Sequence, residues 1–177
     1  GFEIIKPAVG RLACAAVGEG KLPDEEILLA YIRQEIQFEK DMCGIRILVT
    51  AGPTVEKIDP VRYITNHSSG KMGYAIAETA AKRGACVTLV SGPVHIKPPL
   101  FADVIPVESA ADMYQAVMKH FEKSDIIIKA AAVADYTVEN SSDEKIKKNG
   151  GALQLSLSAT KDILKTAGSI KGEKQVL

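Results

Sequence analysis

Apolar positions run almost unbroken through Ile45-Arg46-Ile47-Leu48-Val49-Thr50 and stop at Ala51-Gly52-Pro53-Thr54. A short apolar run closed by Gly and Pro predicts a buried strand. After a polar loop, Met72, Ile76, Thr79 and Ala80 recur at helical spacing and Gly84 follows, predicting a helix with those four residues on its packed face. Cys86-Val87-Thr88-Leu89-Val90 reads as a second strand, stopped by Ser91-Gly92-Pro93, and Val104-Ile105-Pro106-Val107 as a short third one. Ser109 and Asp112 resemble a capping box opening a second helix, whose buried stripe is Met113, Val117 and Phe121. Asp125-Ile126-Ile127-Ile128-Lys129 predicts strand four, running into Ala130-Ala131-Ala132-Val133-Ala134-Asp135-Tyr136. Leu153-Gln154-Leu155-Ser156-Leu157 alternates like a half-exposed strand, Thr160 caps a short helix through Lys165, and Gln175-Val176-Leu177 reads as the opening of another strand.

Residues 1–42 have a different texture. Gly10, Gly18 and Gly20 interrupt any long element there, and Pro23-Asp24-Glu25-Glu26 reads as a helix start. Ile27, Leu28, Tyr31, Ile32, Ile36 and Phe38 continue that helix until it fades near Lys40. From Ile45 on, strands alternate with helices, which implies an α/β fold with a Rossmann-like, doubly wound parallel sheet. In that architecture ligands sit beyond the carboxyl ends of the strands, at the switch point between strands one and four. The loops there are residues 52–73 and 130–136.

Composition narrows the function classes. Lys+Arg and Asp+Glu balance at 22 each, against a broad nucleic-acid surface but not against a local cationic pocket. Cys14, Cys43 and Cys86 are isolated, and with His67, His95 and His120 scattered no metal-ligand set stands out. Reduced thiols point to a cytoplasmic protein. No apolar run approaches the ~20 residues of a membrane helix. The sequence does not begin with Met and shows no signal peptide, so it reads as a piece of a longer chain.

The candidate chemistry clusters near the predicted switch point. Ser68-Ser69-Gly70-Lys71 sits where a helix starts; it either caps that helix or, with the Asn66 amide, holds a phosphate or a developing oxyanion. Asp135 follows small residues at a strand end, as a turn residue or as a carboxylate meeting a hydroxyl or metal. Lys145-Ile146-Lys147-Lys148 is either a solvated face or a mobile cationic flap over a polyphosphate. Cys14 reads as an inert small residue, with Arg11 its nearest base. There is no GxGxxG, no acid after strand two and no Walker loop, which disfavours an ordinary nicotinamide site.

Gly52-Pro53-Thr54, Ile58-Asp59-Pro60-Val61-Arg62-Tyr63-Ile64, Asn66 through Gly73, Ser91-Gly92-Pro93-Val94, Ala130 through Tyr136 and Lys145 through Lys148 together resemble the synthetase half of the bacterial bifunctional phosphopantothenoylcysteine decarboxylase/phosphopantothenate–cysteine ligases. The resemblance is collinear over about residues 45–164. Pro7, Gly10, Leu12-Ala13-Cys14, Gly18 and Gly20 resemble the tail of the flavin-dependent decarboxylase domain of that family. The implied organisation is residues 1–42 as decarboxylase tail plus linker helix and residues 43–177 as a CTP-binding synthetase domain, C-terminally truncated. The implied reaction joins 4'-phosphopantothenate to L-cysteine through an acyl-cytidylate, using CTP and Mg2+. FMN would belong only to the missing decarboxylase domain, so none is expected here. The resemblance also implies a homodimer, with no nucleic-acid or membrane partner.

Carried over position by position, the resemblance gives Asn66 the acyl-cytidylate and Lys145 the phosphates, with Gly52, Ser68, Ser69 and Gly70 in the same site. Lys129, Ala130 and Ala131 would line the nucleotide with their backbone, and Asp135 would contact it. Lys161-Asp162-Ile163-Leu164 stands where the family has Pro-Asp-Ile-Val, with Lys161 replacing the proline. Cys14 stands where the decarboxylase has its proton donor, with Ala15 replacing the usual glycine. Two other readings remain: an NAD(P)-dependent reductase-like protein, and a non-catalytic binding module.

Overall fold

The computed structural model describes residues 4–148 and 150–177. It divides into two compact units, Gly1–Glu39 and Lys40–Leu177. In the first, Ala8–Arg11 (β1) and Val17–Lys21 (β2) pair antiparallel, and helix α1 spans Glu25–Gln37. The glycines expected to break up this region instead lie within the two strands of that hairpin. Helix α1 begins and ends close to expectation and has no buried residue.

The second unit is built on four parallel strands: Arg46–Ala51 (β3), Cys86–Ser91 (β6), Ala102–Pro106 (β7) and Ile126–Lys129 (β8). Their order is β7-β6-β3-β8. Successive strands are added on one side of β3 up to β7 and on its other side with β8, which makes the β3–β8 border the switch point. Side chains alternate across a strand, so β3 feeds two cores. Ile47, Val49 and Ala51 meet helix α2 (Lys71–Lys82) on one face. Leu48 on the other meets Met113, Val117 and Phe121 of helix α3 (Ala110–Phe121) and Ile163 and Ala167 of helix α4 (Ile163–Ile170). Covered on both sides, such a strand reads as continuous apolar sequence. At the start of the β3–β8 pair, Asp125 accepts from the Arg46 backbone N–H at 2.8 Å and from Arg46 Nε at 3.0 Å. Val176 adds a parallel bridge to Ile126, the predicted opening of a further strand.

Three local differences from these expectations shape the surroundings of the switch point. The packed face of α2 is Gly73, Tyr74, Ala77, Ala80 and Ala81, so of the expected stripe only Ala80 is buried. The helix lies so close to β3 that small residues take the interface: a Cβ on Gly73 would stand 2.6 Å from Ala51 Cβ. Met72, Ile76 and Thr79 are displaced to the flank, where with Met42, Ile126 and Ile128 they line an open apolar trough of about 450 Å³. Second, the polar loop after β3 contains an antiparallel hairpin, Val55–Lys57 (β4) and Tyr63–Thr65 (β5). Third, Tyr136–Val138 (β9) pairs with Leu157–Ala159 (β10), so only the last residue of the expected 153–157 strand is in regular structure. The Ser109–Asp112 capping box is present as expected.

Candidate functional site

The ends of β3 and β8 do not splay apart. Ala130 N–H donates to Thr50 O at 3.1 Å, Ala132 N–H to Gly52 O at 2.8 Å and Thr54 N–H to Ala132 O at 3.2 Å. Ala131 N–H reaches Thr50 Oγ1 at 3.3 Å, and Ala134 N–H reaches the buried Thr54 Oγ1 at 2.9 Å. The expected cleft between strands one and four is therefore zipped as far as Ala134, because small side chains let the two backbones run on together. A ligand at Ala130 and Ala131 meets carbonyl oxygens and methyl groups, since their N–H groups are engaged.

Asn66, directly after β5, leans on this seam. Its Nδ2 donates to Ala132 O and Val133 O, each at 3.2 Å. The amide nitrogen is thus turned toward the seam, which leaves Oδ1, an acceptor, without a hydrogen bond to that segment. Lys71 lines the same cavity as Asn66. From the other side, Thr160 Oγ1 donates to Ala134 O at 2.7 Å and Thr160 N–H to Asp135 O at 2.9 Å. Asn66 and Thr160 are therefore tied by direct hydrogen bonds to one segment, 132–135, which follows Ala130 and Ala131, while Lys161-Asp162 follow Thr160 in the chain.

The residues of that segment divide by role. Asp162, not Thr160, caps α4, its Oδ1 accepting from Lys165 N–H at 2.9 Å. Ile163 is buried in the core, whereas Leu164 is exposed. The Lys161 ammonium lies 5.0 Å from the Tyr114 ring centroid. Lys129, half-buried at the end of β8, has its pKa pushed down by burial, an effect the Asp162 carboxylate opposes. Sequence reasoning gave Lys129 only a backbone role; its side chain is a half-buried cation that feels the Asp162 charge.

Helix α2 begins at the other edge of the site. Its N-cap is Gly70 with φ 73°, a left-handed conformation suited to glycine, and no side chain caps it. Ser68 Oγ accepts from Gly70 N–H at 3.3 Å, ahead of the helix. Neither serine caps α2, so its first-turn N–H groups carry no side-chain cap. Gly52 (φ 75°) ends β3, and a Cβ on Gly70 would come within 3.3 Å of Gly52 Cα. Gly92 joins them: a Cβ there would lie 1.7 Å from Pro53 O. Beside this meeting point is a cavity of about 580 Å³ whose lining includes Asn66, His67, Ser68, Ser69, Lys71 and His95.

Lys145 stands apart from this group. Its loop is held against the β4–β5 turn, where Ile146 N–H donates to Asp59 Oδ2 at 3.1 Å and Arg62 Nη2 donates to Ile146 O at 2.8 Å. Asp59 is buried, and the Arg62 guanidinium, helped by backbone N–H groups, holds its carboxyl far below the usual range. Asn66 lies four residues beyond Arg62, about 13 Å along an extended strand. The flap expected to swing freely is pinned at its centre in this structure. Sequence reasoning passed over Asp59 and Arg62 as site-shaping residues; the signal was an Asp-Pro turn between two alternating segments. Cys14 lies in the β1–β2 turn of the first unit, exposed, and Ala15 takes φ 66°, where glycine is unstrained.

Among the described residues no group of three or more His, Cys, Asp or Glu is placed to hold a metal, and no helix is long and apolar enough to cross a membrane. The family model for the DNA/pantothenate metabolism flavoprotein C-terminal domain matches residues 42–177. The chain is 47% identical over 177 residues to the Coenzyme A biosynthesis bifunctional protein CoaBC of Bacillus subtilis, covering 98% of this chain and 44% of that protein. To the protein of the same name from Haemophilus influenzae it is 44% identical over 171 residues, covering 97% of this chain and 43% of the relative. The chain thus spans less than half the length of these relatives. Among solved structures, the C-terminal domain of a CoaBC protein superimposes with a TM-score of 0.66 at 52% identity, over 76% of this chain and 62% of that one.

Proposed function

The chain belongs to the DNA/pantothenate metabolism flavoprotein C-terminal domain family, and from that premise we propose that it carries a CTP-dependent ligase joining 4'-phosphopantothenate to L-cysteine. The observation that carries this reading is the hydrogen-bonded seam joining Asn66, the 130–135 loop and Thr160. A nucleotide laid along it meets the carbonyl oxygens of Ala130 and Ala131, which suit the amino group of cytosine. The Asp135 carboxylate suits a ribose hydroxyl, and the Lys129 and Lys161 ammonium groups suit phosphate. The acid substrate belongs to the cavity beyond Asn66, where Lys71 and the start of α2 are placed for an anion.

The chemistry follows from charge. A substrate carboxylate oxygen attacks the α-phosphorus of CTP, forming the acyl-cytidylate as pyrophosphate departs. The cysteine amine then attacks the acyl carbon, the amide forms, and CMP leaves as the amine gives up a proton. The exposed Asn66 Oδ1 is suited to accept a hydrogen bond from that amine as it approaches. Backbone N–H groups at the start of α2 and Lys145 on its loop balance the developing negative charge. Magnesium fits as an ion carried on the triphosphate and touched by at most one or two carboxylates, the usual mode for a nucleotide-borne Mg2+. It would neutralise phosphate charge.

The β9–β10 ribbon supports a homodimer. Tyr136 and Leu157 on it, and Leu153 and Leu155 before it, leave large apolar surface exposed, and a two-stranded ribbon is marginal alone. Exposed, unpaired Cys14, Cys43 and Cys86 fit a reducing, cytoplasmic setting. The test is pyrophosphate release from CTP with 4'-phosphopantothenate, then CMP release on adding L-cysteine. Thermal stabilisation by NAD(P)H and not by CTP would instead favour the reductase reading. Silence with both nucleotides would favour a binding module.

A further inference from the structure

Asp59 and Arg62 are joined to each other and, across more than eighty residues of sequence, to the lysine-bearing loop. The Asp59 side chain is fully buried, and among the described residues its hydrogen-bond partners are donors from two segments. Oδ1 accepts from the backbone N–H groups of Val61 and Arg62, both at 2.8 Å, which closes the turn between β4 and β5. Oδ2 accepts from the Arg62 guanidinium and from Ile146 N–H. The same Arg62 Nη2 donates to Ile146 O, so one ion pair takes both backbone polar groups of one residue. That residue lies between Lys145 and Lys147, whose side chains are exposed.

A turn needs only the first two of these bonds. The rest serve the other loop, and neighbouring contacts reinforce them: Ser142 N–H donates to Ile58 O at 2.9 Å, and Lys57 Nζ lies 3.5 Å from Asp143. We propose that Asp59 and Arg62 are positioning residues that latch the 145–148 loop through Ile146 and so set where its lysines meet the nucleotide phosphates. This deepens the ligase reading and rests on it. Neither residue touches the reacting atoms. Their effect is to pre-order cations on a loop that would otherwise lose conformational entropy each time nucleotide binds.

The test compares the wild-type chain with Arg62→Gln, Asp59→Asn and Ile146→Pro. The last removes the latched N–H and leaves the ion pair and its turn intact, so it separates latching from folding. Tryptic cleavage after Lys147 and Lys148, bonds that none of the variants alters, tracks the population of the released loop. Each variant is expected to speed that cleavage by about tenfold, the factor that follows from losing a hydrogen bond to a charged group. In the pyrophosphate assay KM for CTP should rise by a similar factor while KM for cysteine stays unchanged. A variant that merely loses folded protein would lower kcat and leave both KM values alone. Cleavage of Ile146→Pro at the wild-type rate overturns the latch. So does fast cleavage with an unchanged KM for CTP. A wild type silent with CTP refutes the ligase reading and the catalytic purpose of the latch together, whereas an active wild type beside indifferent variants refutes the latch alone.

Discussion

Replacing Gly73 by alanine sets two opposed effects against each other inside one helix. Alanine is favoured over glycine in a helix interior by about 0.8–1.0 kcal/mol. Against that, the new Cβ would lie 2.6 Å from Ala51 Cβ, 3.0 Å from Thr50 O and 3.2 Å from Ala51 Cα. Carbon atoms rest at about 3.5–4.0 Å, so α2 must retreat from β3 by about 1 Å. Two of the three obstructing atoms are strand backbone, which has no rotamer to change. Overpacking of this kind costs about 1–3 kcal/mol, and the rigid neighbours place the cost toward the upper end. The net loss is about 1–2 kcal/mol, a fall of roughly 2–8 °C in Tm for a chain of this size.

Gly168→Ala supplies the control. It lies within α4, is exposed, and has nothing within 4 Å of its would-be Cβ. It should gain up to about 1 kcal/mol, raising Tm by up to ~4 °C. Thermal unfolding followed by circular dichroism reads both variants. If Gly73→Ala matches Gly168→Ala in sign, the close approach of α2 to β3 is wrong. Retreat of α2 also carries Gly70 away from Gly52, so CTP and the acid substrate should both bind less well to the Gly73 variant.

Asn66→Ala removes the ties to Ala132 O and Val133 O but no phosphate ligand; isothermal titration should show CTP affinity within about threefold of wild type, while cysteine-dependent CMP release falls by about 100-fold, the range for one oriented catalytic hydrogen bond. Thr54→Val leaves the Ala134 N–H without its buried acceptor, and chemical denaturation should show a loss of about 1–3 kcal/mol. Phe121→Ala, at the buried end of α3, should cost about 3–5 kcal/mol in the same measurement. Asp125 is drawn down to about 2, first by the Arg46 side chain. A carboxyl lowered on folding stabilises above its unfolded value of about 3.9 and loses that contribution as pH falls toward the folded one. The stability gap between wild type and Asp125→Asn should therefore be present at neutral pH and close between about pH 4 and pH 2, as acid titration of the folded fraction will show.

The layered sheet was legible because β3, β6 and β8 have helices packed on them and carry mostly apolar residues in short runs. Helix α3 was legible in detail, since its stripe and capping box are both local signals. The β4–β5 hairpin was not: its strands are three residues each, and their pairing depends on Asp59 and Arg62, whose partner Ile146 is remote in sequence. The face of α2 was misjudged because size was taken as the mark of burial, whereas contact with β3 selects for smallness. At the site, residue types near the strand ends singled out the loops that follow β3 and β8. They gave no hint that those loops are zipped together, or that the Asn66 amide faces inward. Both follow from hydrogen bonds to main-chain groups of residues far apart in the chain, which local sequence does not encode.

Gly52 and Gly70 have a consequence for how this protein can change. The polypeptide leaves the sheet at one of them, makes a round trip of seventeen residues, and re-enters the architecture at the other, almost touching its point of departure. The outbound leg is tied to the layers beneath, since Thr54 and Glu56 are buried and accept from Ala134 and Ala110 N–H. The return leg through His67, Ser68 and Ser69 is mostly exposed, so edits for a new acid substrate would disturb the framework least there.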